Sequence, residues 1–120
     1  MIFGVGADII EIGRVESAVS GAAFYEKTFT AAEREYLLGR RPESAAGMFA
    51  AKEAVAKALG TGFRGFRPAD VEIIHNELGA PYAALHGRAA EIAAENSVTK
   101  IHISISHCET YAAAYAIAEA

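Results

Sequence analysis

A chain of 120 residues is the size of one domain with a single core, and just over half of its residues are hydrophobic, which excludes an intrinsically disordered protein. A net charge of −4 gives no chain-wide signature for nucleic acid, and the longest apolar run is far too short to cross a bilayer. One cysteine, Cys108, excludes an internal disulfide framework and a multi-cysteine zinc site; with no charged-then-apolar leader before "MIFGVGADIIEI", a cytoplasmic, reduced protein is predicted.

The first predicted element is a strand over residues 2–12. Phe3, Val5, Ala7 and Ile9 share one face and are predicted to meet the core, while Gly4, Gly6 and Asp8 share the other. The glycine face has no side chains until it reaches a carboxylate, so another group can approach its backbone closely. From Arg14 to Leu38 the period is helical, broken near Ser20-Gly21. Thr30 and Glu33 form a capping-box pattern that starts a helix at Ala31, and Gly39 can end it. "RRPES" reads as a loop, with Arg34, Arg40 and Arg41 as solvated charges, and a long helix runs from near Glu43 to Gly60.

"DVEIIH" and "PYAAL" flank "NELGA", a hairpin-turn composition, and residues 87–96 are helical in composition. "KIHISISH" then alternates, with Ile101, Ile103 and Ile105 on one face and His102, Ser104 and Ser106 on the other. "CET" turns into "YAAAYAIA", which sets Tyr111, Ala113, Tyr115 and Ile117 against a face of alanines. The predicted fold is α+β over a single domain, residues 1–120, in the order strand, three helices, hairpin, helix, hairpin, with a largely antiparallel sheet.

"FAAKEAVAKALGTG", residues 49–62, is apolar or small nearly all round yet contains Lys52, Glu53 and Lys57. Buried charges need partners or a metal. Glu53 and Lys57, four residues apart, suit a simple ion pair. If the faces of Asp8 and Glu53 meet, the two carboxylates instead make an all-oxygen site suited to Mg²⁺, completed by water and phosphate oxygens, with Lys57 reaching the same phosphates. Gly60 and Gly62 allow a sharp turn and expose amides there, with the Thr61 hydroxyl between them; the order is not that of a P-loop. Lys52, about a quarter-turn from Glu53, faces either solvent or nucleotide. By spacing alone this is phosphoryl-type chemistry without a named substrate.

Together "IFGVGADIIEI", "FTAAERE", "FAAKEAVAKALGTG", "LGAPY" and "HISISHCETYAAA" resemble, in family order, the holo-acyl-carrier-protein synthases, bacterial 4′-phosphopantetheinyl transferases. The resemblance implies transfer of 4′-phosphopantetheine from coenzyme A to a serine of apo-acyl carrier protein, releasing 3′,5′-ADP, in support of fatty acid biosynthesis. It implies Mg²⁺ on Asp8 and Glu53, with Glu53, Asp8 and Lys57 as the catalytic set; Glu53, directly or through a metal-bound water, is the candidate base toward the serine. It implies coenzyme A contacts at Lys57, Gly60, Thr61, Gly62, Pro81, Ser106 and His107, docking of the carrier at Arg14, and a homotrimer with coenzyme A where subunits meet. Met48 and Ala80 stand where many members carry a basic residue, which reduces the positive charge available to the nucleotide; Arg40 and Arg41 are the alternative source.

Ser106 and His107 are predicted to end their strand on its polar side, while His75, His86 and His102 read as ordinary structural or surface residues. Cys108 and His107, adjacent on a strand, point to opposite faces, which argues against a thiol nucleophile. Two other functions use the same residues. A non-catalytic trimeric nucleotide-binding module would lack one of Asp8, Glu53 or Lys57, and a metal-dependent phosphodiester hydrolase would cleave coenzyme A without a carrier.

Overall fold

In the computed structural model, a helix of seventeen residues, α4 (Pro42–Ala58), is enclosed by the rest of the chain; β1 (Ile2–Glu11) and the short helices α1 (Ile12–Val19), α2 (Ala22–Thr28) and α3 (Ala31–Leu37) precede it. Proline at the first helical position and a run of alanines favour α4 locally. Alanines with Gly47, Met48, Lys52 and Val55 bury it on nearly every side. After α4 come the hairpin β2 (Val71–His75) and β3 (Pro81–Leu85), α5 (Gly87–Glu95), and the hairpin β4 (Lys100–His107) and β5 (Tyr111–Glu119).

The strands form two antiparallel sheets, one ordered β1-β5-β4 and the other β2-β3. The class and the antiparallel pairing match the sequence-based expectation. The helix count does not: four α-helices, not three, and a 3-10 turn at Pro68–Asp70 lie between β1 and the β2–β3 hairpin. The Ser20-Gly21 break and the extended Phe29 divide residues 12–37 into three short helices, to which α4 adds a fourth. The capping box is formed as expected, with Thr30 Oγ1 accepting from the Glu33 amide at 3.2 Å and Glu33 Oε1 accepting from the Thr30 amide at 2.8 Å.

The expected core face of β1 is corrected by the structure. Register places Gly4, Gly6 and Asp8 beside Ala118, Ala116 and Ala114 of β5, and Ile101, Ile103 and Ile105 of β4 complete the same face. This face, not that of Phe3, Val5, Ala7 and Ile9, receives α4. Val5 and Ile9 remain 64% and 67% accessible, and Tyr111, Tyr115 and Ile117 beside them are also exposed. The physical reason is helix–strand distance. A Cβ on Gly6 would lie inside the contact shell of the Ala54 carbonyl oxygen and 2.8 Å from the Ala58 amide nitrogen, and one on Gly4 would strike the Ala58 carbonyl. Only a bare strand lets the helix backbone come so near. At its other end α4 passes over β4, where Gly47 meets Ile105, so the helix crosses the sheet from β4 to β1.

Gly6→Ala is therefore expected to lower stability by about 2 kcal/mol or more, because the obstructing atoms are backbone and cannot rotate away. Gly13→Ala, with open space around it, is expected to stay within about 1 kcal/mol of the parent. Chemical denaturation of both variants checks the contrast.

Candidate active site

Just beyond the glycine-bared part of β1, α4 presents two charged side chains to Asp8. Lys57 Nζ donates to the Ala7 carbonyl at 2.9 Å and to Asp8 Oδ1 at 3.2 Å. Glu53, one turn earlier and partly buried, has its carboxyl raised above the usual carboxylate range, first by burial and then by the negative charge of Asp8, with Lys57 opposing. Lys57 thus forms its ion pair with Asp8 rather than with Glu53, contrary to the simple i,i+4 pair. Two hard-oxygen donors with a mutual repulsion are a donor set that a divalent cation relieves. No group of three potential ligand side chains occurs, so water and substrate oxygens would have to fill the remaining positions.

Beyond Lys57 the chain turns through Gly60 and Gly62, both at positive φ (86° and 58°). Their amides are not free as expected: Gly60 donates to the Lys57 carbonyl at 2.9 Å and Gly62 to the Ala56 carbonyl at 3.1 Å, which closes the end of α4. The Thr61 hydroxyl donates to the Gly62 carbonyl at 2.8 Å. The corner walls an open cavity of about 480 Å³ lined by Lys57, Gly60, Thr61, Gly62, Phe63 and Arg64. Lys57 also lines an adjoining cavity of about 330 Å³ with Ala7, Asp8, Ile9 and Tyr115. The ammonium group therefore stands between the carboxylates and the glycine corner. Arg64 is a cation that sequence reasoning missed, although it lies only two residues past Gly62 in "GTGFRG".

Pro81 and His107 are elsewhere in the chain. They line a separate cavity of about 290 Å³ with Tyr36, Glu43, Ser44, Gly47, Met48, His75, Gly79 and Ile105. His107 shares the inner, isoleucine face of β4 and not its polar face, as strict alternation from Ile105 requires; Ser106 is exposed on the opposite face. His75 is more than an ordinary surface histidine. Its ring stacks on Tyr36 at 4.2 Å, with the Arg40 guanidinium 3.9 Å above the same tyrosine, and its buried Nδ1 has no hydrogen-bond partner. Burial and then the charge of Arg40 hold His75 below the usual histidine range. Arg40 is also bound to the Tyr36 carbonyl and Arg41 is paired with Glu43, so neither lines this cavity.

A profile of the 4′-phosphopantetheinyl transferase superfamily matches residues 4–116. This chain belongs to that superfamily. It is 48% identical over 126 residues to a holo-acyl-carrier-protein synthase of Clostridium perfringens (strain SM101 / Type A), covering 99% of this chain and 95% of the relative. The crystal structure of holo-acyl-carrier-protein synthase from Neisseria meningitidis superposes with a TM-score of 0.91 at 33% identity, covering both chains fully (100% of each). That of a holo-(acyl-carrier-protein) synthase from Bacillus anthracis str. Ames in complex with CoA (3′,5′-ADP) gives 0.84 at 34% identity, over 100% of this chain and 98% of that one.

In this superfamily member the third charge of α4 has a different task from the one expected. Lys52 faces neither solvent nor a nucleotide cavity; it is fully buried and bonded to Glu33. Arg14 is exposed on α1 and forms no ion pair. His86 and His102 sit beside Glu72 and Glu119 at 3.0 Å, in keeping with surface roles.

The raised Glu53 carboxyl has a consequence for stability. Glu53 keeps its proton to higher pH in the fold than in the unfolded chain, so its ionised form opposes folding above that range, and the penalty fades as pH falls through the folded value. At neutral pH and without divalent metal, Glu53→Gln is expected to unfold at a higher temperature than the parent. Thermal scans in chelator check the sign.

Proposed function

We propose that this chain transfers the 4′-phosphopantetheine moiety of coenzyme A to a serine of apo-acyl carrier protein, giving holo-acyl carrier protein and 3′,5′-ADP, in the cytoplasm and in support of fatty acid biosynthesis. The observation that carries this reading is the meeting of Asp8, Glu53 and Lys57 beside the Gly60–Arg64 cavity, in a chain whose relatives are named for this activity. No helix is long and apolar enough to cross a membrane, which agrees with a water-soluble carrier as substrate.

The reaction forms a bond between the serine oxygen and the phosphorus that bears the pantetheine, and breaks the bond from that phosphorus to the bridging pyrophosphate oxygen. The bridging oxygen and its electron pair leave with 3′,5′-ADP. Glu53, the partly buried carboxylate that α4 presents beside Asp8, receives the serine proton. Lys57, bonded to Asp8, pairs with phosphate oxygens as a point charge, and Arg64 lines the same cavity as a second cation. Asp8 and Glu53 would hold Mg²⁺, which when bound supplies neutralisation of the charge gathering on the pyrophosphate. Thr61 and the turn at Gly60 and Gly62 shape the wall against which the pyrophosphate lies.

The assembly in this reading is a homotrimer. Within one chain, the cavity of Pro81 and His107 shares no lining residue with those of Asp8 and Lys57, and a second copy would bring the two sets to one ligand. The exposed outer sheet face, with Val5, Ile9, Tyr111, Tyr115 and Ile117, is the apolar surface on which copies would pack. Ser106 and His107 then reach coenzyme A from the neighbouring protomer. Arg14, exposed and unpaired, receives the acidic carrier.

Release of 3′,5′-ADP from coenzyme A, measured with and without apo-acyl carrier protein, tests the reaction. Release that depends on carrier and Mg²⁺ is expected, and release without carrier would identify a hydrolase instead. Asp8→Asn and Glu53→Gln are each expected to remove most activity, at least about a hundredfold, with the assembly intact by sedimentation. Arg14→Glu is expected to raise the KM for carrier protein about tenfold with that for coenzyme A little changed. Equal rises for both substrates would count against docking at Arg14.

A further inference from the structure

α4 positions Glu53 and Lys57, and its only buried residues larger than alanine are Met48, Lys52 and Val55. Ala45, Ala46, Ala50, Ala51, Ala54, Ala56 and Ala58 are buried along it together with Gly47. Helix packing takes its register from ridges of side chains seated in grooves, and methyl groups make shallow ridges. The glycine stretch of β1 admits the helix backbone closely and offers no side chains to interlock with it.

Lys52 adds ties of fixed direction. Lys52 is fully buried, and its ammonium donates at 2.8 Å to Glu33, at 2.8 Å to the Val71 carbonyl and at 3.1 Å to the Pro68 carbonyl. Its three N–H groups are thereby used on two other segments of the fold. Glu33, also buried, accepts in addition from the Thr30 amide at 2.8 Å and from the Ile73 amide at 2.8 Å. The network is closed, with no donor or acceptor of the pair left without a partner. Turning α4 by one residue would leave two opposite charges buried and unpaired. Buried ion pairs add little net stability against apolar replacements, and their best-attested use is to specify register.

We infer that Lys52 and Glu33 are positioning residues for the reaction: their buried ion pair sets the rotation of α4, so that Glu53, the next residue, faces Asp8. This inference rests on the transferase reading above for its kinetic consequence, though not for its structural one.

The test replaces both charges, Lys52→Met with Glu33→Gln, so that neither is left buried alone. Five quantities are read: the thermal midpoint; kcat and the KM for carrier well below that midpoint; the Mg²⁺ concentration giving half-maximal rate; and the affinity for Mn²⁺ with coenzyme A by calorimetry, without turnover. The expected result is a folded protein with a midpoint near the parent's and an unchanged KM for carrier. Its kcat should fall on the order of 10- to 100-fold, as small misplacements of catalytic groups do, with a higher Mg²⁺ requirement and weaker Mn²⁺ binding. A purely structural pair would lower the midpoint and leave metal requirement and affinity as in the parent, which would overturn the inference. Should the double variant not fold, Glu33→Asp, which keeps the charge and shortens its reach to Lys52, separates the two outcomes on the Mg²⁺ requirement and the Mn²⁺ affinity. A parent without carrier-dependent release of 3′,5′-ADP would sink the transferase reading. The Mn²⁺ affinity would then still decide the positioning of Glu53 beside Asp8.

Discussion

The contact between the backbone of α4 and the bare stretch of β1 is the constraint from which the other features follow. Because Gly4 and Gly6 have no Cβ, Ala54 and Ala58 come against the strand itself. Asp8 is the first side chain on that face, and it appears where the helix bears Glu53 and Lys57. A site made this way needs no loop to carry its carboxylates. Both stand on regular elements whose separation is set by van der Waals contact, which is the rigidity that charge-stabilising catalysis requires.

The three charges in the C-terminal half of α4 answer to different physical demands. Lys52 is buried where its full set of donors is matched, so it serves the fold. Glu53 is held partly buried beside another carboxylate, an arrangement that disfavours its ionised form. Lys57 offsets part of that repulsion through Asp8 while remaining about half exposed, so it can also meet a ligand. Close on the helix, these residues are separated by burial rather than by sequence position.

Much of this is legible in the sequence, and the failures have specific causes. The capping box at Thr30, the glycine ending α3 and the β2–β3 turn are readable because each depends on chemistry within a few residues; Asn76 Oδ1, for example, accepts the Leu78 and Ala80 amides at 2.9 Å. The strand alternations hold, but the inward face of β1 is the opposite of the one expected. Large apolar residues ordinarily point to the core, whereas here the face of smallest side chains meets the helix and the larger residues remain outside. Asp8, Glu53 and Lys57 are legible because helical and strand periods place them on bare faces. Lys52 is not, since its partners Glu33, Pro68 and Val71 are distant in sequence. The face of His107 is available from the alternation of β4 alone, while the tyrosine–arginine stack around His75 is not.

Central to the proposed chemistry is the joint action of Asp8 and Glu53 on a cation at the pyrophosphate. The most direct measurement is an anomalous difference map from crystals of the protein grown with coenzyme A and Mn²⁺. A single strong peak within coordination distance of both carboxylates and of the pyrophosphate oxygens is expected. Coenzyme A bound in order, with the Mn²⁺ peak away from Asp8 and Glu53 or with no peak between them, would contradict it.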